Sequence, residues 1–106
     1  MARDLLAATE NNLFLSTVSV WEIASKHARG TLILPQAPAV LIPQARALLD
    51  AISLELDEES ALLSGTLPPL HRDPFDRMLV CQAIHHNLSI LTPDRLIQQY
   101  GVSCVW

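Results

Sequence analysis

Glycine is scarce in this chain, three residues in 106, and neither a phosphate-cradling P-loop nor the Gly-rich turn of a dinucleotide fold can be written with them. Nucleotide-binding folds of those kinds are excluded. No Gly-x-Ser-x-Gly elbow occurs either, which removes the hydrolases that present a serine on a strained turn. Cysteine is limited to Cys81 and Cys104, too few for a disulfide framework, and both are expected to be free thiols. Positive charge is sparse as well: seven Lys and Arg face eleven Asp and Glu, giving a net charge of −4. A protein that coats nucleic acid by neutralising many phosphates is therefore excluded, while one that cuts it at a single site is not. No run approaches the roughly 20 apolar residues of a membrane span, and Asp4 and Glu10 stand where a signal peptide would be apolar. A soluble, cytoplasmic protein is expected.

What remains is a chain that is 50% hydrophobic and 17% charged, long enough for one core and too short for two, so residues 1–106 are expected to form a single domain. There is no internal repeat, low-complexity segment or linker. Two hydrophobic periods alternate along it. Residues 2 to 10 have helical spacing, Leu13 to Thr17 form a short apolar strand, and Ser19 to Arg29 return to helical spacing before Gly30. Beyond Pro35 and Pro38, Leu41, Ala45, Leu48 and Leu49 mark a second amphipathic helix, and Ser53 to Leu56 a strand. Asp57, Glu58 and Glu59 open a helix that ends near Gly65. Asp73 and Pro74 open another, burying Phe75, Leu79, Val80, Ala83 and Ile84, followed by a strand at Leu88 to Leu91, a short helix and a terminal strand in VSCVW. Short, almost wholly apolar strands separated by helices predict an α/β fold with a parallel sheet covered on both faces. Right-handed crossovers would then gather the strand C-termini along one edge.

Three acids fall at that edge: Glu22, Asp76 and Asp94. Each also has a local structural explanation. Ser19 and Glu22 spell a capping box, Asp76 lies in a first helical turn where the dipole favours negative charge, and Asp94 can cap the short helix after Pro93. Asp73, directly before Pro74, reads as an N-cap. Arg72, Arg77 and Arg95 flank two of the acids, either as phosphate contacts or as solvated partners of Asp73, Asp76 and Asp94. His71, His85 and His86 invite a metal or acid–base role. Cys81 and His85 have the i, i+4 spacing that can share an ion, but Cys81 faces the apolar side of its helix and is read as core.

The stretches LFLSTVSVWEIASKHARG, LPPLHRDPFDRMLVCQA and LSILTPDRLIQQYGV resemble, in order and spacing, the PIN-domain ribonucleases of the VapC toxin type. Trp21 to Ala24 and Arg72 to Arg77 carry the most specific matches, and Tyr100, Gly101 and Trp106 fit as well. The resemblance implies a three-layer fold with sheet order 3-2-1-4-5, and it makes Glu22, Asp76 and Asp94 the catalytic and metal-binding acids, supported by Ser19 and Thr92. Mg²⁺ or Mn²⁺ is the implied cofactor, RNA the implied substrate and a small antitoxin the implied partner. Clustered carboxylates raise one another's pKa, and a divalent cation relieves that cost while activating water for phosphodiester hydrolysis.

Family members also open with an apolar central strand ending in an Asp, and this chain starts beyond the point where that strand would stand. The expectation is an incomplete PIN-like domain, impaired in metal binding and turnover, with an unfilled slot between LFLST and LSILT. Unpaired edges there would favour a homodimer or an intertwined oligomer. The alternative to an enzyme is a catalytically inactive PIN-like protein that binds an antitoxin or itself.

Overall fold

A computed structural model describes residues 5–7, 12–70, 73–92 and 95–105. The elements run β1 (Leu5–Ala7), β2 (Leu13–Ser16), α1 (Thr17–Ala28), α2 (Pro38–Leu49), β3 (Ile52–Leu54), α3 (Glu58–Leu63), α4 (Pro74–His86), β4 (Ser89–Leu91), α5 (Arg95–Gln98) and β5 (Cys104–Val105), with a 3-10 turn at Ser64–Thr66. One five-stranded sheet has the order β3-β2-β1-β4-β5. The pairs β2–β3 and β4–β5 are parallel, as near-continuous apolar strands joined through helices require. The fold is α/β.

The centre of the sheet departs from expectation. Residues 2 to 10 were read as helical and the central slot as empty, but residues 5–7 form a strand that pairs antiparallel with β2 on one side and β4 on the other. The remaining residues of that stretch lie outside the described ones. Leu5, Leu6 and Ala7 are too short a run for periodicity to distinguish helix from strand, and two rows of backbone donors and acceptors beside them decide the matter. Filling the slot removes the exposed edges that had argued for an intertwined dimer. Leu6 stands opposite both Phe14 and Ile90, so β2 and β4 run in the same direction and reach the same edge together. Ser16 and Thr92 leave the sheet there.

Successive residues of β2 face opposite sides, as the strand period of two demands. Phe14 packs against a core of Val18, Leu79, Val80, Ala83, Ile90 and Ile97 beneath α4 and α5, whereas Leu15 joins Ile23 and Ile42 beneath α2. Helices thus cover both faces. Ile84, expected in the core, is 44% exposed because α4 turns it outward beyond Ala83.

Helix ends follow local chemistry. In α4, Pro74 occupies the first turn, the Asp73 carboxylate accepts from the Phe75 amide at 2.9 Å, and Asn87 ends the helix in the left-handed region at φ 56°. Gln82, wholly buried, fixes α4 on the sheet: Ser16 donates to its Oε1, and its Nε2 donates to the Glu55 carbonyl at 3.2 Å.

Candidate active site

The cap of α1 determines how Glu22 is read. Ser16, not Ser19, is the N-cap, with its Oγ accepting from the Val18 amide at 3.1 Å. Ser19 is therefore inside the helix and buried, and it is not the N-cap that a capping box with Glu22 requires. Glu22 lies in mid-helix, where burial of a carboxylate is costly, yet it is only 1% exposed. Its Oε2 pairs with Lys26 Nζ at 2.5 Å, one turn along. Asp76 sits in the first turn of α4, as expected, and is 5% exposed.

One ring contact joins the two helices that carry these acids. Trp21 and Phe75, the residues immediately before them, meet edge to face with ring centroids 5.0 Å apart, which sets α1 beside α4 at that level. Lys26 then senses both helices. The hydrogen bond to Glu22 raises its pKa above the ordinary lysine value; burial opposes this, and the charges of Glu22, Asp73 and Asp76 reinforce it. Thr92, at the end of β4, is fully buried and on the edge where Ser16 opens α1. Asp94 and Arg72 lie outside the described residues, as does His71.

The arginines do not behave alike. Arg95 begins α5 and is exposed, open to a solvent-borne anion. Arg77 is committed elsewhere: its guanidinium donates to the carbonyls of Ser64, Leu67 and Pro68 and to Tyr100 Oη, tying the turn after α3 to α4 and α5. A phosphate contact would have to dismantle that clamp, which gives Arg77 a structural role.

The donor set suits a hard divalent cation. Glu22 on α1 and Asp76 on α4 are both buried carboxylates, the oxygen donors that such an ion takes. The sequence profile of the PIN domain matches residues 1–102. This chain belongs to the PIN-domain family. PIN domains are in general nucleases that bind a divalent metal. No curated protein and no solved structure gives a significant match. Among the described residues of this PIN domain, no helix is long and apolar enough to cross a membrane.

Sequence reasoning missed Lys26. The signal was present in its i, i+4 spacing from Glu22, but that pattern also marks any solvated helix face, and only the burial of Glu22 distinguishes the two.

Proposed function

We propose that this PIN domain is a metal-dependent endoribonuclease of the VapC toxin kind, with Glu22, Asp76 and Asp94 as its acidic ligands. The observation that carries this reading is the pairing of Lys26 with buried Glu22 on α1, beside α4 through the Trp21–Phe75 contact, with the charges of Asp73 and Asp76 acting on the same lysine. Glu22 and Asp76 would hold Mg²⁺ or Mn²⁺, and Asp94, two residues beyond Thr92, would complete the set. When bound, the ion supplies a water of lowered pKa and positive charge for the phosphodiester. The protein's share is preorganisation. Gln82 and the buried core lock α4 against the sheet, the Trp21–Phe75 contact sets α1 beside it, and Thr92 holds a hydroxyl at the same edge. Trp21, 60% exposed next to Glu22, offers an aromatic face for an unpaired base, and Arg95 and Arg72 offer phosphate contacts. A small antitoxin that covers the acidic groove is the partner this reading implies.

A second reading has its own support. In the family pattern the first acid ends the central strand, but β1 runs antiparallel to β2 and β4, so its C-terminal residue Ala7 lies at the edge away from Ser16 and Thr92. If β1 contributes no acid to the pocket, metal would be held more weakly, and a protein that binds RNA or antitoxin without turnover would result. Incubation of a single-stranded RNA with the protein and Mn²⁺ separates the two. Cleavage that is abolished in Asp76→Asn supports the enzyme; retention of RNA without cleavage supports the binding protein.

A further inference from the structure

The C-terminal end of α4 carries a second cluster, unrelated to the acids of the first turn. His85 and His86 are adjacent there, their rings edge to face with centroids 4.8 Å apart. Both turn the same nitrogen toward one carboxylate across the groove to α3. His86 Nε2 donates to Asp57 Oδ1 at 2.7 Å, and His85 Nε2 lies 3.6 Å from Asp57 Oδ2. One donor atom from each of the three residues falls within 4.8 Å of the other two. Asp76 is nine residues earlier on the same helix, which at 1.5 Å per residue is about 14 Å away.

We propose that Asp57, His85 and His86 form a binding site for a divalent transition-metal ion of the Zn²⁺ class, which clamps α3 to the end of α4. The donor set is two imidazoles and a carboxylate, the combination Zn²⁺ takes when it keeps a fourth position for water, and unlike the oxygen-only set that suits Mg²⁺.

Asp57 is already oriented for this role. The Ser60 amide donates to its Oδ2 at 2.9 Å and the Ser60 hydroxyl to its Oδ1 at 2.7 Å, and Ser60 is completely buried. Outer hydrogen bonds of this kind fix a ligand's direction and raise its affinity. The same bonds, led by the Ser60 hydroxyl and joined by His86, hold the Asp57 carboxyl far below the usual carboxylate range, so it is an anion at any pH where the imidazoles are neutral. Both histidines lie in the last turn of α4, the end of a helix that favours positive charge. An ion would be held through Nε2 by each imidazole in the tautomer that keeps its proton on Nδ1.

Calorimetric titration with Zn²⁺ in metal-free buffer tests the site. One equivalent should bind, with affinity falling at least tenfold in His85→Ala, His86→Ala and Asp57→Asn, and by about tenfold in the orienting variant Ser60→Ala. Asparagine is itself a good N-cap, so Asp57→Asn should preserve α3, and circular dichroism confirms that each variant is folded. Any further Zn²⁺ taken up by the carboxylate pocket should disappear in Asp76→Asn, which leaves the equivalent that depends on His85 and His86 unchanged. Lack of Zn²⁺ binding, binding indifferent to His85 and His86, or loss of that equivalent with Asp76 would overturn the proposal and leave these residues as an ion-paired helix cap.

Discussion

Replacing Lys26 by methionine keeps the aliphatic stem and removes a charge that pairs with buried Glu22. The hydrogen bond lost is to an ionised group, a class worth about 1.5–3 kcal/mol. Because the Lys26 side chain is 30% exposed, solvent screening trims this, and a loss of about 1–2 kcal/mol is expected at neutral pH in the presence of a chelator. For a domain of this size each kcal/mol moves Tm by about 4–8 °C. The decisive part is rescue. With Lys26 gone, positive charge beside Glu22 is reduced, so Mg²⁺ should raise the melting temperature of Lys26→Met by more than it raises that of the wild type. A ligand at a hundredfold its Kd returns about 2.7 kcal/mol, enough to recover the whole deficit. Thermal melts followed by circular dichroism, with chelator and with saturating Mg²⁺, read both effects. If Lys26→Met melts with the wild type and ignores Mg²⁺, the acids do not share a pocket and the reasoning fails.

Other outcomes follow from individual contacts. Gln82→Leu removes the acceptor for the buried Ser16 hydroxyl and the donor to the Glu55 carbonyl, and should cost about 1–3 kcal/mol in urea unfolding, with an unchanged m-value. Asp57 is more acidic in the folded than in the unfolded chain, so its contribution to stability is complete above the unfolded carboxylate's pKa of about 3.9 and is lost as pH falls below it. The acid limb of the stability curve should therefore flatten in Asp57→Asn, as measured by melts across that range. Burial pushes the Cys81 thiol up, so a thiol reagent should label it only after denaturant is added.

Much of the fold was legible because the strongest sequence signals are local. Asp73 and Asp57 cap the helices their sequence context announces, and the apolar runs of β2 and β4 sit where periodicity put them. The failures share a cause: the deciding contacts are distant in sequence. Leu5 to Ala7 became a strand because two neighbouring strands offered pairing, and propensity in so short a run could not resist. Ser19 lost the cap to Ser16 because the β2–α1 junction lies one turn earlier than the capping-box pattern suggests. That shift removes the capping box as the reason for Glu22's position. Arg77 looked like a phosphate contact from its position beside Asp76, whereas the folded turn at residues 64–68 claims its guanidinium. His85 was weighed against Cys81 by helical spacing, while the partner it meets, Asp57, lies on another helix entirely.

The most direct test of the shared cation pocket is a double-mutant cycle in Mn²⁺ affinity across Glu22 and Asp76. It is run in a His86→Ala background so that the second cluster is silent. Ligands of one ion are coupled, so Glu22→Gln and Asp76→Asn should each weaken binding by at least roughly tenfold, and the double variant should lose little more than either alone. Mn²⁺ affinity that survives both substitutions, or falls by the full product of two independent effects, would contradict the account.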